Sequence, residues 1–339
     1  MKRQTLTGLS GLAVVIVAVF AIIRLGDMPR FSEATDYLMD TVVTVKVYAP
    51  ASAHADETIS RAFTEAKRLE LLMNPLGEGG ELNRIDEGGP GAWWVISPEL
   101  EEVLSRAAHF YEVTQGAFDP TIAAVKWLWD FDGETHLPAA EEIAQALRTV
   151  GFENVEIRGD SLNLGVRGTK LDLGGIAKGY IVDRMVRILR EGGATSCLVN
   201  AGGDIYLFGQ KAGGDDWVIG FRHPRNGETI VLETMPLPAV ATSGDYERYF
   251  IAGGRRYHHI LDPGTGYPAD GCVSVTVWTT TAMDADALAT GLFVLGHEKG
   301  IALAEKLEDV EALIFWEDDS ILRHDMTSGV RGKVALSSE

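Results

Sequence analysis

The sequence predicts an α+β protein, with mixed and antiparallel sheets and flanking helices in two intertwined lobes, preceded by an N-terminal membrane-anchor helix. Three observations carry this expectation. Helical patterns fill the chain to about residue 150, and strand-like runs dominate from Val155 onward, a segregation typical of α+β folds. There is no regular βαβ alternation and no fixed-period repeat, which disfavours a doubly wound sheet. At the start, Lys2 and Arg3 precede the apolar run Leu9 to Ile23, a charged n-region followed by an h-region.

From Leu6 to Ile23 about 18 residues are mostly apolar, enough to span a bilayer. No small-residue cleavage site follows the run, and no cysteine is available there for lipid attachment. Residues 1–30 therefore read as an uncleaved signal anchor with a short flank, a buried core helix being the alternative. Residues 31–339 then read as a single domain of two packed lobes outside the cytoplasm. Residues 31–36 read as a linker. Thr41 to Tyr48 alternates in period two, as a half-buried strand does. Ile59, Ala62, Phe63, Ala66 and Leu69 share one face of a helix over about Glu57–Met73. Residues 74–91 read as glycine-rich loop. Ser97-Pro98 caps and opens a helix that Gly116 ends; Asp119-Pro120 opens another, and Pro138 to Val150 a fourth. Strands are expected near 155–158, 161–166, 169–173, 196–207, 217–222, 229–235, 247–252, 256–261 and 272–279, interrupted by a helix at 176–191. Helices near 284–295 and 298–307 and two short strands complete the chain.

The 339 residues are 46% apolar and 23% charged, enough for a large core. A net charge of −19 repels phosphate backbones and argues against a nucleic-acid partner. A phosphorylated ligand would need local neutralisation by a metal, a lysine or a helix N-terminus. Cys197 and Cys272 lack zinc-type spacing and read as buried small hydrophobes.

Several segments carry possible chemistry. Lys170 to Tyr180 (KLDLGGIAKGY) reads as strand, glycine turn and helix start, where backbone N–H groups and Lys178 favour an anion; a plain tight turn explains it as well. Asp286 and Thr290 lie one turn apart on one helix face, an oxygen donor pair suited to Mg²⁺ or Ca²⁺; Asp284 or Asp286 could equally cap that helix. In His258-His259-Ile-Leu-Asp-Pro-Gly-Thr-Gly-Tyr267 a histidine stands beside a polar turn, as a general base, a nucleophile or a structural group.

Taken in order, MDT (39–41), GAFDPT (116–121), DLGGIAKG (172–179), NAGGD (200–204), ATSGDY (241–246), HILDPGTGYP (259–268) and DADALAT (284–290) form a string. It resembles the FAD:protein FMN transferases, the ApbE-type flavin transferases, over about residues 37–316. The resemblance implies an enzyme that uses Mg²⁺ and passes FMN from FAD to a threonine hydroxyl of an acceptor redox protein, with AMP leaving. Carried over residue by residue, it makes Asp286, Thr290 and the Gly175 carbonyl Mg²⁺ ligands. Met39, Ala117, Phe118, Asp119, Asp172, Lys178, Thr242 and Leu261 match FAD-contacting positions, and His259 the histidine needed for transfer. Two residues depart from the family pattern. Asp40 stands where the family has glycine, and Leu76 where it has an aromatic ring, a lost stacking partner worth about 1 kcal/mol. An FAD pyrophosphatase and a non-catalytic flavin-binding protein are the alternative readings.

Overall fold

The computed structural model describes residues 29–88, 91–131, 136–232 and 237–333. The chain opens with the hairpin β1 (Arg30–Leu38) and β2 (Thr41–Ala49), then α1 (Ala55–Met73) and α2 (Glu81–Glu87). There follow β3 (Trp93–Val95), α3 (Pro98–Val113), α4 (Ala123–Trp129), α5 (Ala140–Ala146), β4 (Val155–Arg158), β5 (Ser161–Leu164) and α6 (Ala177–Glu191). Strands β6 (Ser196–Ala201), β7 (Asp204–Phe208), β8 (Ile219–Arg222), β9 (Thr229–Leu232), β10 (Ala239–Gly244), β11 (Tyr249–Ala252), β12 (Arg255–His258) and β13 (Ser274–Thr279) come next. Helices α7 (Ala282–Leu295) and α8 (His297–Ala304) and strands β14 (Glu311–Asp318) and β15 (Ile321–Met326) close the order.

Eight strands form one sheet in the order β1-β2-β6-β7-β10-β13-β14-β15, with antiparallel pairing throughout. The expected α+β class with antiparallel sheets is borne out. Period-two alternation on β2 turns Val43, Val45 and Val47 into a core shared with Ala62, Ala66 and Leu69 of α1. On β10, Ala239 and Ala241 join that core, while the intervening Val240 packs on the opposite face with Ile205, Trp278 and Leu313. The sheet is thus buried on both sides at its centre. Fully burying a side chain such as Leu69 contributes about 1.5–3 kcal/mol.

Two caps fix the helices that matter for the site. Ser97 accepts the Leu100 N–H at 3.3 Å with Pro98 in the first turn of α3, as the sequence predicts. At the start of α7, Thr281 accepts the Asp284 N–H at 3.2 Å, and Asp183 of α6 accepts those of Ala282 and Met283, each at 2.9 Å. An α6 carboxylate therefore caps α7 and locks the two helices together.

Some expectations fail. Residues 31–36, read as a linker, lie inside β1, an edge strand whose half-exposed face lets polar residues sit in a ladder. The loop at 74–91 contains α2, and 169–173 is extended but paired only through an isolated Lys170–Ile122 bridge. The run 196–207 is a hairpin folded at Gly202-Gly203, both with positive φ. The expected anchor falls, apart from Pro29 and Arg30, outside the described residues. Among the described residues no helix is long and apolar enough to cross a membrane.

Candidate active site

Helices α6 and α7 cross in very close contact at Gly179, where a β-carbon would come 2.1 Å from the Ala282 carbonyl oxygen. That approach lets the Gly179 N–H, in the first turn of α6, reach the Asp286 carboxylate at 3.1 Å. A carboxylate at a helix N-terminus is stabilised by the free amides and the helix dipole. Lys178 lies between two acids, 2.8 Å from Asp204 and 3.3 Å from Asp286. Burial and repulsion from Asp204 push the Asp286 pKa up, against the pull of Lys178. Burial works against the Lys178 charge, yet Asp204 and Asp286 hold its pKa well above the ordinary lysine value.

Asp284 takes no part in this cluster. It accepts two bonds from Arg106 of α3, each 2.7 Å. Neither Asp284 nor Asp286 caps α7; Thr281 and Asp183 do. The sequence could not choose between cap and ligand for these acids, and the fold leaves Asp286 on the crevice.

One turn on from Asp286, Thr290 Oγ1 lies 3.4 Å from Ser243 Oγ of β10. A β-carbon at Gly175 would come 3.0 Å from Thr290 Oγ1 and 3.3 Å from the Phe118 ring, so any larger residue would crowd the Thr290 hydroxyl. Asp172 accepts the Gly174 N–H at 2.8 Å and pairs with Lys126 of α4. Burial works to raise the Asp172 pKa, but the Lys126 ammonium and the Gly174 amide hold it below the usual carboxylate range.

His259 follows β12 directly, and its N–H donates to the Arg248 carbonyl at 3.1 Å. Its Nδ1 is buried without a hydrogen-bond partner. Burial, then the charge of Lys126, brings its pKa down to about 3, so the ring is neutral at pH 7. Glu247 reaches solvent through the cavity but is otherwise enclosed, which pushes its pKa up to about 7; Asp204 and Asp286 add to the rise and Lys178 opposes it.

These groups border two connected spaces. A crevice of about 100 Å³ is lined by Gly175, Asp286 and Thr290 on one side and by Ala117, Phe118 and Asp119 on another, with Leu261 and His259 closing it. A chamber of about 830 Å³ opens beside it, lined by Met39, Asp40, Leu76 and Trp127 among others. Asp172, Lys178, Thr242, Glu247, Lys126 and His259 border both. All twelve sequence-selected positions therefore line these two spaces. The Asp119 side chain is already taken by the Thr121 N–H (2.8 Å) and hydroxyl (2.6 Å), and the Phe118 ring packs edge-on to Phe110, so both serve to shape the turn.

Asp40 sits with Met39 in the β1–β2 turn, both with positive φ, a conformation Asp tolerates better than most residues. Its carboxylate lies 3.2 Å from Arg248. Leu76 is 71% exposed at the chamber wall. The sequence reading missed Lys126, Asp204, Ser243, Glu247 and Arg248 as site residues. Asp204 and Ser243 lie inside quoted motifs and Glu247 directly after one, whereas Lys126 carries no local signal.

The large antiparallel sheet with its flanking helices is an ApbE-like fold. The chain belongs to that family, whose model matches residues 39–314. It is 33% identical over 307 residues to the FAD:protein FMN transferase of Treponema pallidum, covering 84% of each chain. It is 35% identical over 298 residues to that of Haemophilus influenzae, covering 84% of this chain and 86% of the other. Among solved structures it matches the ApbE protein of Thermotoga maritima with TM-score 0.77 and 35% identity, over 88% of this chain and 97% of that one. It also matches the apo flavinyl transferase ApbE of Pseudomonas stutzeri with TM-score 0.79 and 29% identity, over 89% and 96%.

Proposed function

We propose that this protein transfers FMN from FAD to a threonine hydroxyl of an acceptor redox protein, in a Mg²⁺-dependent reaction outside the cytoplasm. The observation that carries the reading is the pairing of a chamber of about 830 Å³ with a small oxygen-lined crevice, joined where His259 and Lys178 stand. The chamber has room for a flavin ring system, and the crevice suits a diphosphate. Curated relatives bear the name FAD:protein FMN transferase.

In the reaction the threonine oxygen attacks the flavin-side phosphorus. A new O–P bond forms, the bond from that phosphorus to the bridging oxygen breaks, and AMP departs with that oxygen. His259 is neutral and stands where the two spaces join, which places its ring to take the hydroxyl proton. The low pKa belongs to the substrate-free site. Negative charge brought in by a diphosphate beside Lys126 raises it toward the working pH. Lys126 and Lys178 hold positive charge at the junction, and the neighbouring carboxylates keep them oriented.

The donor set fits a hard cation: the Asp286 carboxylate, the Thr290 hydroxyl and the Gly175 carbonyl come from residues that border one crevice, which a side chain at position 175 would crowd. When bound there, Mg²⁺ neutralises charge on the diphosphate oxygens. The segment Lys2 to Ile23 supports a membrane tether with the catalytic domain on the periplasmic side.

One assay separates the readings. The protein is incubated with FAD, Mg²⁺ and a candidate acceptor domain. AMP with covalent flavin on the acceptor supports transfer, AMP with free FMN supports hydrolysis, and neither supports a carrier. His259→Ala is expected to bind FAD without transferring, and Asp286→Ala to lose activity together with its Mg²⁺ dependence. Full transfer by His259→Ala sinks the role given to that ring.

A further inference from the structure

The hairpin β11–β12 stands apart from the main sheet, pairing only with itself among the described residues. Both of its ends meet the cavity: Glu247 and Arg248 precede β11, and His259 follows β12. The hairpin turns at Gly253-Gly254, with φ of 58° and 80°, the signature of a two-residue type I′ turn. In such a hairpin the pair flanking the turn, Ala252 and Arg255, exchanges both backbone hydrogen bonds, and the phase alternates along the ladder. The His259 N–H to Arg248 carbonyl bond of 3.1 Å lies on the same phase.

It follows that Tyr249 and Ile251 direct their N–H and C=O groups away from β12. The outer edge of β12 is flanked by the segment 268–270, through the His258 Nε2 contact to the Ala269 carbonyl (3.1 Å) and the Arg255–Asp270 pair (3.5 Å). Along β11 no strand or side chain among the described residues takes the outward groups of Tyr249 and Ile251. Their side chains are 41% and 61% exposed, while the intervening Phe250 packs onto Trp129 and Phe131. Native proteins normally protect an edge of this kind. Here it runs straight from the cavity mouth.

We propose that the β11 edge is the docking rail for the acceptor, which adds an extended segment as a third strand beside Tyr249–Ala252. The inference rests on the transfer reading, which requires a polypeptide to enter at this mouth. A peptide residue paired with Ile251 lies about 10 Å, three strand steps, from one level with Arg248 and His259. Main-chain pairing anchors the segment, and contact with the exposed Tyr249 and Ile251 side chains selects its alternate residues.

The test uses the full-length protein in detergent with FAD, Mg²⁺ and an array of ten-residue peptides, each carrying one central threonine. The most strongly flavinylated peptide is then remade with single N-methylated amides. Sensitivity with a period of two is expected, because only alternate N–H groups face the edge. Ile251→Pro removes an outward donor without touching the β11–β12 ladder. It is expected to raise the peptide KM at least fivefold while the FAD Kd stays unchanged, and Ile251→Val is expected to behave as wild type. Uniform or absent N-methyl sensitivity overturns the proposal, as does an unchanged KM in Ile251→Pro. A change in oligomeric mass in that variant without a KM effect assigns the edge to a second copy and equally overturns it. Failure of the wild type to label any peptide rules out an extended segment as the docking element. If the wild type also labels no folded acceptor while releasing AMP and FMN, the transfer reading itself falls.

Discussion

Gly179→Ala tests the helix crossing on which the whole crevice depends. The new β-carbon would meet the Ala282 oxygen at 2.1 Å, the Ala282 carbonyl carbon at 2.5 Å and the Met283 Cα at 2.7 Å. All three are backbone atoms, so no rotamer change relieves the clash. A carbon needs about 3.3 Å from a carbonyl oxygen, so α6 and α7 must part by roughly 1 Å. Close-packed interiors resist such shifts, and overpacking costs about 1–3 kcal/mol. Helix propensity works the other way, since alanine is favoured over glycine by about 1 kcal/mol in a helix interior. The balance is a net loss of up to about 2 kcal/mol, a melting temperature lower by a few degrees. The same shift draws the Gly179 N–H away from Asp286, so the stabilisation expected from Mg²⁺ under the proposed function should shrink as well. Thermal melts with and without Mg²⁺ read both effects. A melting temperature equal to or above wild type would show that propensity decides and that the crossing has slack, refuting the argument.

Asp284→Asn loses the charge on the Arg106 pair, which is partly exposed, and should cost about 1 kcal/mol of stability while leaving the proposed Mg²⁺ dependence of activity intact; a loss of that dependence would put Asp284 in the proposed cation site. Asp86 is buried with Oδ2 unpartnered, and burial pushes its pKa up to about 7 from 3.8. The folded state therefore binds this proton more tightly than the unfolded chain, and stability falls by up to about 1.4 kcal/mol per pH unit as pH rises from about 4 to 7. Asp86→Asn should melt above wild type at pH 8 with the gap closing toward pH 4; denaturant midpoints across that range that track wild type would contradict it. Leu76→Tyr restores a ring at the chamber wall and should tighten FAD binding about fivefold, the equivalent of about 1 kcal/mol of stacking, read by quenching of flavin fluorescence.

The elements most legible in the sequence are those with one buried face. The β2 alternation and the apolar stripe of α1 place Val45 and Leu69 in the same core because each pattern has a single period. β1 escaped detection because an edge strand accepts polar residues on both faces, Glu33 and Thr35 on exposed positions and Ser32 and Asp36 on half-buried ones, and its pairing with β2 is not a local property. Residues that line the crevice were legible where they sit in compact motifs, as do Asp286, Thr290 and His259. Lys126 and Asp204 were not, since their roles come from sheet order and helix placement that bring α4 to Asp172 and the β6–β7 turn to Lys178. Of the two family departures, Asp40 acquires a partner that no sequence pattern announces, because Arg248 lies 208 residues away along the chain.

β1 also sets a distance. It starts at Arg30, a few residues beyond Ile23 where the apolar N-terminal run ends, and ends at Leu38, beside the chamber-lining turn of Met39 and Asp40. Eight strand steps span about 27 Å, and the strand is paired along its whole length, so no hinge lies between its ends. With the N-terminal segment held in a bilayer, as the proposed tether requires, the chamber would become the far end of a boom of bounded length. The strand and residues 24–29 before it together reach at most about 50 Å, so only acceptor sites carried within that distance of the membrane then fall within its sweep. The range of clients would be set by geometry before any sequence preference acts, and cutting the chain at residue 29 would remove that filter while leaving the chamber whole.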